Sequence, residues 1–482
     1  MKVTGTAEEG KLLADLHAKA ESGEAEAQLQ MGLTYMLGRL GVAKNEAEAV
    51  KWYRKAAEQN HAQAQYELGL CYYYFEGVEQ DSVEAVRWFR RAAEQNNAPA
   101  QYMLGLCYEN GHGLQKNEAE AAKWIRKAAE QNEAMAQFKL GLDYEAGHGG
   151  EKNVAEAVKW YRKAAEQNNA MAQANLGLCF GSGRGVEKNM AEAVKWIRQA
   201  AEQDEAVAQY ILGCWYGNGC GVEKDEVEAI KWYRKAAEGN QSQGQNALGF
   251  CYWAGQGVMQ NYREAVKLYR KAAERNDPHA QYNLGVCYAH GQGVEKDEVE
   301  AVKWYRKAAE GNYVEGQNTL GFCYWAGQGV VQNYLEAVNW YRKAAERNHA
   351  QAQYNLGVCY ANGQGVAQDE VEAVKWYRKG AEGGEIRAFN YLAWILATSG
   401  NSGLRDGAAA VFCAETAVAA TNRKEPDCLG ALAAAYAEAG QFEKAVSTQR
   451  EAIALLTTEA ETKDYGEQLK RYEDHKPYRA KD

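Results

Sequence analysis

The stretch Ala280–Asn312, AQYNLGVCYAHGQGVEKDEVEAVKWYRKAAEGN, decides the fold. Ala280, Leu284, Cys287 and Tyr288 fall at i, i+4, i+7 and i+8, one stripe of a helix. Ala301, Tyr305 and Ala308 repeat that spacing, with Val302 and Ala309 beside them and Lys303, Arg306, Lys307 and Glu310 on the other side. The stretch therefore encodes two amphipathic helices. Gly291-Gln292-Gly293 separates them, where glycine can take the positive φ that ends a helix. Asp297 sits at an N-cap position with Glu300 three residues on, which predicts a capping box. So small a hairpin cannot bury both apolar faces, and must stack on copies of itself.

The copies are present. One glycine recurs at 69, 105, 141, 177, 213, 249, 285, 321 and 357, a step of 36 residues. Gly32 precedes Gly69 by 37 residues because the first turn, Met36–Gly41, is one longer. Ten glycines mean ten units over residues 24–384. A tryptophan slot recurs in the second helix, from Trp52 and Trp88 to Trp340 and Trp376, with Leu268 as its one substitute. Caps recur as well, from Asn45/Glu48 to Asp369/Glu372. Such a repeat predicts an all-α fold, a right-handed α-α superhelix (solenoid) of antiparallel helix pairs. The tryptophan stripe then reads as packing between units.

Residues 1–23 hold one helical pattern, Glu8–Glu21, that would cap the first unit. After Gly384 the pattern changes. Arg387–Thr398, Leu404–Thr421 and Ala460–Tyr472 read as helices, the last a charged one covering the final apolar face, and His475–Asp482 reads as a frayed tail.

Charge and composition narrow the class. The chain has 482 residues and a formal charge of −10, which disfavours nucleic acid as the main ligand. No apolar run approaches the roughly 20 residues of a membrane span, and Met1–Thr6 lacks the apolar core of a signal peptide, so a cytoplasmic protein is expected. Seven of the 11 cysteines share one slot: Cys71, Cys107, Cys179, Cys251, Cys287, Cys323 and Cys359. Asp143 and Trp215 fill the same slot, so it needs no thiol chemistry. Helices pack about 8–10 Å apart and a disulfide needs Cα atoms within about 7 Å, so these cysteines should stay unpaired as small buried hydrophobes.

Three motifs identify a family likeness. A-x-A-Q-x-x-L-G-x-x-Y, then G-x-G-V-x-K-[DN], then E-A-x-x-W-Y-[RK]-K-A-A-E run through ten copies. They resemble the Sel-one-like repeat, a relative of the tetratricopeptide repeat. Within Leu429–Leu455, the residues Leu432, Ala433, Tyr436, Gly440, Phe442, Ala445 and Ala452 resemble a tetratricopeptide repeat itself, without its closing proline. Residues 385–482 are therefore expected to form tetratricopeptide-like helices and a final cap. Some relatives carry a disulfide within each repeat; one cysteine per repeat makes that cross-link absent here.

Catalytic constellations are sparse. His112, His148 and His290 lie in glycine turns without HExxH or C-x-x-C spacing, so solvated loop histidines are expected. Gly181–Gly185 and Gly217–Gly221 lack the strand and the G-K-[ST] frame of a phosphate loop. Asn240-Gln241-Ser242 fits a glycosylation sequon, discounted without a secretory signal. No catalytic residue, cofactor or metal site is assigned.

The resemblance implies that first helices line a concave groove and that the protein works as a scaffold or adaptor. Slots that vary between copies then specify the partner. Those three before, one after and four after the repeated glycine vary: Asn246, Phe250 and Trp253 in the seventh unit, and Asn318, Phe322 and Trp325 in the ninth. The units that follow these two carry Tyr282 and Tyr354. Trp253, Trp325, Phe250 and Phe322 are candidate anchors for an extended peptide or partner helix, with Asn246 and Asn318 bonding its backbone. The competing reading packs both tryptophans against the next unit. A tyrosine-rich surface with Tyr66 and Tyr73 could extend the groove. A protein or peptide partner, no nucleic acid and no membrane insertion are expected. The alternatives are a regulatory subunit that recruits a separate enzyme and, more remotely, a repeat-type hydrolase.

Overall fold

The computed structural model describes residues 6–148 and 150–480. Among them are 26 helices and no strand. Helix α1 (Ala7–Glu21) is followed by ten helix pairs, from α2 (Ala25–Leu37) with α3 (Glu46–Glu58) to α20 (Ala350–Asn362) with α21 (Glu370–Glu382). Five helices close the chain: α22 (Ile386–Thr398), α23 (Gly407–Ala420), α24 (Pro426–Glu438), α25 (Phe442–Leu455) and α26 (Glu459–Glu473). The chain divides into two compact units, residues 1–244 and 245–482. Within each, consecutive helices pack in order, as an α-α solenoid requires.

Each second helix starts on an Asn or Asp cap. Asp297 Oδ1 accepts the Glu300 N–H at 2.9 Å. The capping box expected there is only half formed. The Asp297 N–H goes instead to the Tyr288 carbonyl of the preceding helix, 2.9 Å away, and Glu300 pairs with Lys303 at 2.8 Å. The hairpin's own closure takes the donor that Glu300 would have bonded. Most first helices end on a left-handed glycine such as Gly291, φ 69°. Second helices lead into a left-handed Asn or Asp, from Asn60 to Asn348, a conformation these residues tolerate best after glycine.

The repeated glycine is set by packing. A Cβ on Gly321 would lie 2.7 Å from the Tyr341 ring, and one on Gly285 2.7 Å from Tyr305. Within each pair the two helices therefore meet at the bare glycine. Tryptophans close the next joint. Trp88 joins a core with Tyr53 of the first pair and Leu68 of its own, Trp304 one with Tyr269 and Leu284, and Trp340 one with Tyr305 and Leu320. The stripe is packing between pairs, and a lysine three residues on caps many of its rings, as Lys343 does Trp340 at 4.0 Å. The repeated cysteines are buried, and Cys71, Cys107, Cys179, Cys287, Cys323 and Cys359 are free thiols.

A buried glutamine threads the stack, a feature the apolar pattern does not announce. In the fourth pair Gln137 donates from Nε2 to the Ala129 carbonyl of the pair before at 3.2 Å, and its Oε1 accepts from Gln167 Nε2 at 2.8 Å. The same two hydrogen bonds, one donated and one accepted, hold Gln28, Gln65, Gln101 and Gln173.

The tail departs from expectation. His475–Ala480 is not frayed: Tyr478 packs on Trp394 with ring centroids 5.8 Å apart, Arg479 pairs with Glu438 at 2.7 Å, and the Ala480 N–H donates to the Thr398 carbonyl at 3.0 Å. The apolar top of α22 and the acid on α24 hold it. Residues 481 and 482 lie outside the described residues.

Candidate functional site

The variable slots converge between neighbouring pairs. Trp253 Nε1 donates to Gln292 Oε1 of the next pair at 2.8 Å, and Trp325 Nε1 to Gln364 Oε1 at 2.9 Å. Both indoles are half-buried, their edges fixed by the next turn. Phe250 and Phe322 stack on them, centroids 6.0 and 6.1 Å apart, yet stay 43% and 41% exposed. The asparagines are also tied across pairs: Asn283 Nδ2 donates to Asn246 Oδ1 at 2.9 Å, and Asn355 Nδ2 to Asn318 Oδ1 at 3.0 Å.

Tyr282 is half-buried, edge-on to Tyr313 at 5.3 Å. Tyr354 is only 8% exposed, covered by Tyr391 at 5.6 Å and by the Arg387 guanidinium at 4.7 Å. Helix α22, beyond the repeats, thus shuts the slot in the tenth pair. Tyr66 packs on Phe89 at 6.1 Å, and burial pushes its hydroxyl up to about 12. Tyr73 hydroxyl meets His112 Nδ1 at 2.9 Å.

These contacts share one rule that single-unit reading missed. The slot four after the glycine touches the slot seven after the next glycine, 39 residues on. Tyr73–His112, Glu145–Arg184 (2.8 Å), Trp253–Gln292 and Trp325–Gln364 are the same joint in different chemistries. The sequence signal is covariation of two slots in successive copies; Asn283 and Asn355 sit two before their glycines, outside the slots considered.

Two equivalent pockets, five pairs apart, open at this joint. One, of about 160 Å³, is lined by Glu109, Lys116, Glu118, Ile125, Asp143 and His148. The other, of about 350 Å³, is lined by Ala289, Lys296, Tyr305, Phe322, Cys323 and Gln328. In the first, Glu109, Asp143 and His148 bring one ligand atom each within 4.8 Å of the others. Lys139 occupies that charge, its Nζ 2.8 Å from Glu109 and bonded to Asp143 as well. Burial raises the Asp143 carboxyl despite that lysine. The site is therefore a polar cluster of two carboxylates held by one lysine, where most other pairs place a cysteine.

The whole repeat array matches the Sel1 repeat family model, in ten successive segments from 25–61 to 350–385. The chain belongs to the Sel1 repeat family. It is similar to c5321, a protective antigen of uropathogenic Escherichia coli strains with an SLR fold, at 34% identity over 98% of both chains, TM-score 0.70. It is also similar to a Sel1 repeat protein from Oxalobacter formigenes, at 30% identity over 64% of this chain and 88% of that one, TM-score 0.49. The Helicobacter pylori cysteine rich protein B matches at 30% identity over 27% of this chain and 92% of its own, TM-score 0.23. No match is found among curated proteins. Sel1 repeat solenoids are typical protein-interaction scaffolds and generally lack enzymatic activity. Among the described residues no helix is long and apolar enough to cross a membrane.

Proposed function

We propose that this Sel1 repeat protein is a scaffold whose first-helix face holds a peptide or protein partner, with no chemistry of its own. The observation that carries the reading is the pair of aromatic clusters. Phe250 and Phe322 remain exposed while their neighbours Trp253 and Trp325 are anchored by hydrogen bonds. Aromatic side chains held rigid at a surface lose little entropy on binding and serve as interface anchors. Asn246 and Asn318 stand beside them with amide groups able to bond a backbone. Tyr282 flanks the face and Tyr354 supports it from within, while Tyr66 and Tyr73 are candidate contacts on the first helices of the N-terminal unit.

The test is affinity capture with the full chain and with Trp253→Ala plus Trp325→Ala, followed by mass spectrometry and binding of the purified partner. The reading expects a partner that the wild type retains and the folded double variant releases. Equal retention by both removes this face from partner binding. A captured enzyme whose turnover changes on binding would favour the regulatory-subunit reading.

A further inference from the structure

We infer that the first-helix face of residues 245–362 takes an uncharged, extended peptide segment with two apolar side chains. One seats at Phe250/Trp253 and the other at Phe322/Trp325. This rests on the peptide-binding reading above and specifies its ligand.

Charge is the first argument. The first helices over 242–254, 278–290, 314–326 and 350–362 contain no Lys, Arg or Asp and a single Glu, Glu315. The equivalent helices over 98–110 and 134–146 carry Glu109, Lys139, Asp143 and Glu145. The same joint is thus ionic in one part of the chain and neutral in the other. A charged ligand group docked beside Phe250 or Phe322 would lose hydration with little free counter-charge in return, because Lys296 and Glu298 of the adjoining cavity already pair with each other at 2.9 Å. A neutral segment loses only what the asparagine and glutamine amides return.

Repetition is the second. Phe250 and Phe322 are exposed at an interval of two pairs, and Asn246–Asn283 and Asn318–Asn355 recur at the same interval. The cavity of about 350 Å³ beside Phe322 has room for a large apolar side chain. Each asparagine pair spends one donor and one acceptor on itself and keeps others for a peptide group. A sugar platform is disfavoured, because each indole is already stacked against its phenylalanine, at 24° and 26°. With each pair advancing roughly 10 Å, the two sites lie roughly 20 Å apart. An extended chain covers that in about six residues.

The experiment uses the full chain and blocked synthetic peptides. Two phenylalanines are separated by two to ten Ser, Asn or Gly residues, and binding is read by fluorescence anisotropy. Tightest binding is expected near a five- to seven-residue spacer, at least tenfold above a one-anchor peptide. Replacing spacer residues by Asp or Lys should weaken it at least tenfold. Phe250→Ser or Phe322→Ser, both at exposed sites, should each reduce affinity to the one-anchor level, with the helical circular dichroism unchanged. Equal or tighter binding of the charged peptides overturns the inference while leaving a peptide-binding face. Binding indifferent to the phenylalanine variants overturns the inference and the face. Phe-dependent binding of soluble peptidoglycan fragments with no peptide bound overturns both in favour of a glycan site.

Discussion

Gln203 Nε2 donates to Gln173 Oε1 across 2.7 Å, and it is the last glutamine in its slot. From there on the slot holds Gly239, Arg275, Gly311, Arg347 and Gly383. In the ninth pair Gln317 is 2% exposed and its Oε1 has no hydrogen-bond partner among the described residues, while Arg347 turns to the Asn312 carbonyl. Arg347→Gln is expected to restore the missing bond and stabilise the protein by about 1 kcal/mol. Gln203→Ala should destabilise it by about 1–3 kcal/mol, by stranding the buried Gln173 acceptor. Urea unfolding of the two variants checks both signs.

The glycine in the pair interface has no slack. Gly321→Ala places its Cβ 2.7 Å from Tyr341, which is 2% exposed and cannot swing aside. A cost of about 1–3 kcal/mol from overpacking should exceed the gain of about 1 kcal/mol in helix propensity. Gly321→Ala with Tyr341→Leu should recover part of the loss. A stabilised single variant would show that the interface yields.

Phe75 stands where most pairs place a left-handed glycine. It has φ 66° and is 64% exposed. An L-residue in that conformation costs about 1–2 kcal/mol. Phe75→Gly is expected to raise the melting temperature, since little packing is lost. A fall would mean the ring contributes more than its backbone costs.

Asp143 and Lys139 stand or fall together. Lys139→Met leaves Asp143, 6% exposed, facing Glu109 without a cation, a loss of about 3–5 kcal/mol. Adding Asp143→Cys, the residue usual in this slot, should return most of it. Stability of the three proteins closes the cycle, and additive losses would exclude the coupling.

Burial pushes the thiols of Cys71, Cys107, Cys287 and Cys359 up to about 12, and those of Cys179 and Cys323 to about 11. In the unfolded chain a thiol ionises near about 8.5. Below that value both states are protonated and the full stability is present. As pH rises through it, only the unfolded chain loses protons, so stability falls progressively toward pH 11–12. The urea midpoint should therefore decline between pH 8.5 and 10.5. At pH 8 the exposed Cys220 should react with a thiol reagent far faster than these six.

The repeat, its helices, the caps and the bare glycine were legible because stacking applies the same demands ten times over, so identity between copies reports packing. The second half of the capping box was not, since the donor it needed is spent on the hairpin's own closure at Tyr288. Nor was the ordered tail, which depends on Trp394 and Glu438 far back in the chain.

Taken alone, the residues determined an α-helical stack of ten Sel1 repeats and marked the slots free to vary. Only the tertiary structure decided what those slots do. A side chain such as Trp253 finds Gln292 across 39 residues, and Tyr354 is covered by a helix outside the repeats. Local spacing fixes the face on which a side chain starts, whereas the neighbouring pair fixes whether it ends buried, bonded or exposed.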